Sequence, residues 1–122
     1  MNRKNVTLFI VPLMICWLAS AMAQAPSSRA DTAASYLERG NQWLAKGEWD
    51  RAIADYDLAI ATDPGAYAAY LYRADARMAK GDFDGAVDDY TEAIKINPRL
   101  IEAYNNRGSL RLVLGDLERA LS

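Results

Sequence analysis

Residues 33–66, AASYLERGNQWLAKGEWDRAIADYDLAIATDPGA, are followed without a break by residues 67–100, YAAYLYRADARMAKGDFDGAVDDYTEAIKINPRL. Aligned at a spacing of 34, the two windows share 14 residues, among them Tyr36/Tyr70, Arg39/Arg73, Gly47/Gly81, Ala52/Ala86, Tyr56/Tyr90, Ala59/Ala93, Ile60/Ile94 and Pro64/Pro98. A third copy begins at Ile101. Self-similarity at this period marks a solenoid, in which each unit buries its apolar face only against its neighbours. Such arrays generally bind other proteins rather than catalyse.

Within each window the apolar residues recur at helical spacing and the runs are closed by glycine or proline. Helices are predicted over 32–46, 49–62, 66–80, 83–96, 100–114 and 117–122, and no stretch has the alternation of a strand. Gly47, Gly81 and Gly115 each follow a run where a left-handed cap is wanted. Asp31 or Thr32 should cap the first helix, and Asp82 and Asp116 suit the starts of two later ones, while Glu48 is a poorer cap. Turns this short force antiparallel hairpins, and Pro64 and Pro98 end the second helix of each.

Small residues at Gly40/Ala74/Gly108 and Ala52/Ala86/Ala120, aromatics at Tyr36/Tyr70/Tyr104 and Tyr56/Tyr90, large apolar residues at Trp49/Phe83/Leu117 and the two prolines together resemble the tetratricopeptide repeat. The resemblance covers residues 33–122 and implies an all-α, right-handed solenoid of helix hairpins, with repeats at 33–66 and 67–100 and a partial third at 101–122. Small residues let paired helices approach, and aromatics fill the space between hairpins. Arg77 and Arg111 depart from the pattern by replacing the aromatic seen at Trp43, which leaves those sites to arginine stems.

Many bacterial repeats of this type carry arginine where Arg39, Arg73 and Arg107 stand, and pairs Arg39–Asp55 and Arg73–Asp89 are expected. The alternative is three solvated arginines, whose pairs would contribute only about 0–1 kcal/mol. The third repeat stops before its own aspartate, so Arg107 is expected to lack that partner. Its second helix has about six residues, too few to be stable alone. The first expectation is therefore a piece cut from a longer array, and the second an end covered by a partner or by another copy.

The family resemblance implies a concave face lined by the first helix of each hairpin, which takes an extended peptide or a helix. On this chain that face should carry Leu37, Glu38 and Asn41, then Leu71, Tyr72 and Asp75, then Asn105, Asn106 and Ser109. Leu37, Leu71 and Tyr72 would be apolar anchors, and the amides would bond the partner's main chain. One branch of the family clamps a C-terminal carboxylate through positions that correspond here to Leu37, Asn41, Tyr72, Glu102 and Asn106. Only Asn41 agrees, and Glu102 would repel a carboxylate.

The first residues differ in kind from the rest. Asn2-Arg3-Lys4 is a short basic start, residues 6–18 are almost wholly apolar, and Ala21-Met22-Ala23 has the small-x-small pattern of a cleavage site. Residues 1–23 read as a signal peptide and 24–31 as a disordered lead, with the repeat domain at 32–122, so export to a periplasm or secretion is expected. The alternative is an uncleaved anchor: residues 6–23 are 18 long, at the lower edge of a bilayer span. Membrane contact is expected only through this segment. Cys16 is the only cysteine, so processing would leave none.

Composition narrows the function further. Removal of Arg3 and Lys4 leaves 12 Lys plus Arg against 16 Asp plus Glu, a net charge of −4. With no basic run, nucleic acid is not an expected partner. There is no histidine, no metal-ligand spacing and no phosphate loop, so the sequence points to no cofactor and no enzyme. The acid pairs Asp55/Asp57 and Asp88/Asp89 fall on second helices and are read as solvated surface. The expected function is an exported adaptor that holds a protein segment. The alternative is a structural or truncated repeat segment that self-associates or supports a larger assembly.

Overall fold

A computed structural model describes residues 32–121, and the expected signal peptide and lead lie outside the described residues. The described residues form five helices and no strand: α1 Ala33–Ala45, α2 Trp49–Thr62, α3 Tyr67–Lys80, α4 Phe83–Ile96 and α5 Ile101–Leu121. Each helix packs on its chain neighbour, α1 on α2, α2 on α3, α3 on α4 and α4 on α5, and α1 also touches α3. These are two helix hairpins followed by a third first-helix, the order a solenoid requires.

Local chemistry sets the boundaries. The Thr32 hydroxyl accepts from the Ser35 amide at 3.2 Å and the Asp82 carboxylate from the Gly85 amide at 3.1 Å, each satisfying an otherwise orphaned donor of a first turn. Glu48 makes no such side-chain bond. At the hairpin turns Gly47 and Gly81 have φ of 74° and 91°. The amide that follows each of these glycines returns to the last turn of the helix, Glu48 to the Trp43 carbonyl at 2.9 Å and Asp82 to the Arg77 carbonyl at 2.8 Å. This is the Schellman closure that the left-handed glycine permits. Between hairpins, Asp63 and Asn97 accept side-chain bonds from the Gly65 and Arg99 amides around Pro64 and Pro98.

The expected break at Gly115 does not occur. Helix α5 runs through it for 21 residues, and neither Gly115 as a cap nor Asp116 as an N-cap is realised. A short return helix would have to form its own first turn with little to pack on, whereas continuing α5 adds a hydrogen bond for each residue ordered. The consequences follow the sequence. Leu117 is 47% exposed, Ala120 is exposed, and Tyr104 is 42% exposed where its counterparts Tyr36 and Tyr70 are half-buried.

The core lies where small residues meet tyrosines. Ala52, Tyr56 and Ala76 form one buried cluster, and Leu71, Ala74, Ala86, Tyr90, Ala93, Ile94, Ala103 and Leu110 form the other. Gly40 is small for a direct reason: a Cβ there would lie 2.6 Å from Tyr56 Cε1. Gly108, with no second helix opposite it, has open space at the same place.

Candidate functional site

Both expected arginine pairs are present and both are two-pronged. Arg39 reaches Asp55 through Nε at 2.8 Å and Nη2 at 2.6 Å, and Arg73 reaches Asp89 through the same atoms at 2.9 and 2.6 Å. Asp55 and Asp89 are therefore not solvated surface: they are 4% and 2% exposed. Burial of a carboxylate is tolerable because a planar guanidinium satisfies both oxygens. The outer members of the acid pairs, Asp57 and Asp88, are exposed as read.

Three further bonds go beyond the expected pairs. Arg73 Nη1 also takes Asp57 at 2.7 Å, 16 residues back on α2, so one guanidinium ties its own hairpin to the preceding one. Arg107 makes the equivalent backward bond to Thr91 Oγ1 at 3.2 Å, and is thus not without a partner. Arg77, in the place of Trp43, adds a second guanidinium to Asp89 at 2.8 Å, so its head as well as its stem is used, while Arg111 is exposed and fills no packing site. Arg73 is held protonated: burial pulls its pKa down, but the hydrogen bonds to Asp89 and Asp57 raise it by more.

These latches tie each first helix to the second helices beside it, and the expected groove residues stand on those first helices. Asn41 accepts from the Tyr56 hydroxyl at 2.7 Å. One period later Asp75 accepts from the Tyr90 hydroxyl at 2.5 Å, and Asn106 of α5 donates to that hydroxyl at 3.3 Å, joining α3, α4 and α5. Leu37 and Tyr72 are half-buried against the Tyr56 cluster, and the Tyr56 and Tyr72 rings lie 6.2 Å apart. Leu71 is 7% exposed within the second cluster, so it is core and offers no anchor, because α3 is packed on both flanks where α1 is packed on one. Glu38, Asn105 and Ser109 are exposed.

The electrostatics of this face are one-sided. Burial raises the Asp75 pKa, the Tyr90 hydrogen bond opposes that, and the charge of Glu102 raises it further. Burial likewise raises both tyrosine hydroxyls, with Asp75 adding to the effect at each. Among the described residues Glu38 and Glu102 face solvent without an ion pair, and the neighbouring guanidinium of Arg39 is committed to Asp55. The half-buried amides are expected to bond a partner's main chain, and Asp75 is expected on the same face. They are instead largely spent on the tyrosines, at a spacing of 15 shared by Asn41–Tyr56 and Asp75–Tyr90. Among the described residues no group of three potential metal ligands occurs.

A family model described as TPR repeat matches residues 74–115. Comparison of the sequence with curated proteins finds no match. Among solved structures, the second repeat domain of Spaghetti (RPAP3), bound to the HSP90 peptide SRMEEVD, is 33% identical, with 72% of this chain and 82% of that chain covered and a TM-score of 0.67. The first repeat domain of the same protein, bound to the same peptide, is 32% identical over 72% of each chain with a TM-score of 0.65. MamA is 27% identical over 70% of this chain and 50% of that one, with a TM-score of 0.69. The 34-residue period, the glycine-closed hairpins and these likenesses agree, and the chain belongs to the tetratricopeptide-repeat family.

Proposed function

We propose that the chain is an exported, non-enzymatic adaptor that holds a segment of a partner protein along the face shared by α1, α3 and α5. The observation that carries this reading is the pair of tyrosine-centred bonds, Asn41–Tyr56, which ties α1 to α2, and Asp75–Tyr90–Asn106, which ties α3 and α5 to the one helix α4 between them. A preset surface loses little entropy when a ligand docks. Its accessible residues are Glu38, Leu37, Tyr72, Glu102, Asn105 and Ser109, with acids and no unpaired cation among them.

That charge selects the partner. The Spaghetti domains hold an acidic peptide, but here Leu37, Tyr72 and Glu102 stand where a carboxylate clamp would need other groups. The partner is an extended segment with Lys or Arg between apolar residues, since opposite charge steers docking and like charge opposes it. Fluorescence anisotropy with two labelled peptides tests this: one alternating leucine and lysine, the other ending Glu-Glu-Val-Asp. The basic peptide binds, and Glu102→Lys weakens it about tenfold through loss and reversal of a charge contact. Preference for the acidic peptide, or binding of neither, removes the reading. Export is checked by N-terminal sequencing of the chain from a secreting bacterial host, with Gln24 as the expected first residue.

A second reading, a repeat segment that self-associates, is favoured by the apolar residues α5 leaves open, Val113 at 44%, Leu117 at 47% and Leu121 at 87% exposed.

A further inference from the structure

Leu110, Leu114, Leu117 and Leu121 recur on α5 at spacings of 4, 3 and 4. That alternation is the seam of two helices wound together, with one stripe of side chains meeting a partner helix. The first half of the stripe is already used. Ala103 and Leu110 are 0% and 4% exposed within the cluster built by α3, α4 and α5. Beyond Leu110 the same stripe continues off the end of the hairpin: Leu114 is half-buried, and Leu117 and Leu121 are open. The open seam is thus a direct extension of an interface the fold already makes.

We infer that a second copy of this chain covers it, with the two α5 ends, residues 111–121, packed antiparallel about a two-fold axis. Charge distinguishes this occupant. Directly flanking the seam on one side are Arg111 and Glu118, seven residues apart and both exposed. When two such helices run antiparallel, with Leu114 of one copy against Leu117 of the other, Arg111 of each lies beside Glu118 of the other, giving two reciprocal ion pairs. A parallel arrangement places Glu118 of one copy against Val113 of the other and Arg111 against Asn106, both neutral. The stripe is therefore self-complementary in one orientation, as an isologous interface requires. On the other flank Val113 and Ala120 are small enough to let the helices approach. This association deepens the self-association reading and is independent of the peptide face.

Sedimentation equilibrium of the full chain over a hundredfold range of concentration tests it, with helicity followed by circular dichroism on the same samples. A monomer–dimer equilibrium is expected. Leu117→Glu abolishes it without loss of helicity. Arg111→Glu and Glu118→Arg each weaken it about tenfold, because each reverses two contacts, and the double variant restores it. A monomer at every concentration overturns both the seam and the self-association reading. Association that survives Leu117→Glu, or that the charge exchange does not restore, overturns the antiparallel seam alone and leaves another surface responsible.

Discussion

Gly40, Asp75 and the Arg73–Asp89 pair carry most of what single residues contribute. At Gly40 the missing Cβ is what lets the Tyr56 ring lie against α1, and Gly40→Ala should cost about 1–3 kcal/mol by overpacking, read from urea unfolding. At Gly108 the space is open, so Gly108→Ala should instead stabilise by about 0.5–1 kcal/mol through helix propensity. Arg73–Asp89 is a buried, two-pronged pair, and a double-mutant cycle to alanine should show coupling above about 1 kcal/mol, in the range for residues in one network. The retained bonds of Arg77 to Asp89 and of Arg73 to Asp57 soften each single loss. Asp75 has a raised folded pKa, so the folded chain binds a proton more readily there than the unfolded one, and its charged form costs stability at neutral pH. Asp75→Asn, which leaves Tyr90 an acceptor of the kind Asn41 gives Tyr56, should hold stability within about 1 kcal/mol at pH 7. As pH falls toward and through the raised value the wild type gains relative to the variant, measurable by paired unfolding curves at pH 7 and 5. The arginine pairs were legible because the same residue types recur at the same offset in both repeats. The tyrosine bonds have an equally regular offset, but Asn41 and Asp75 differ in kind, which hides the pairing.

At the scale of elements, four helices fall within one residue of their expected bounds, since glycine, proline and capping side chains mark ends by local chemistry alone. The fifth does not, because a hairpin turn is made only if the returning helix has something to pack on, and that is a property of tertiary contacts. The glycine at 115 carries the difference into experiment. Gly81 has φ of 91°, so Gly81→Ala should destabilise by about 1 kcal/mol or more, since alanine strains at positive φ. Gly115 sits in a helix with open space at its Cβ, so Gly115→Ala should raise helicity and stabilise by about 0.5–1 kcal/mol. Loss of stability at both sites would mean that a return turn forms at Gly115 after all. Leu71 shows a second limit of sequence: α1 and α3 bear leucine at the same place in the period, yet only α3 has a helix on each side to bury it.

For the molecule as a whole, periodicity was enough to give the fold, because every unit repeats the same packing of small residues against tyrosines. Function was less legible. The position of the proposed binding face follows from helix order, but which of its expected residues remain available depends on the hydrogen bonds that the tyrosines claim. What remains open is an acidic surface with Tyr72 and Leu37 at its side, flanked by a helix end whose leucine stripe suits another copy. The account stands or falls on whether the first helices form the binding face. Amide chemical-shift mapping by NMR, with the leucine–lysine peptide added to saturation, reads this directly. The account predicts shifts concentrated at Glu38, Tyr72, Glu102 and Asn105 on α1, α3 and α5, with the outer residues Asp57, Leu58 and Asp88 unmoved. Shifts centred on α2 and α4, or none at saturating peptide, would contradict it.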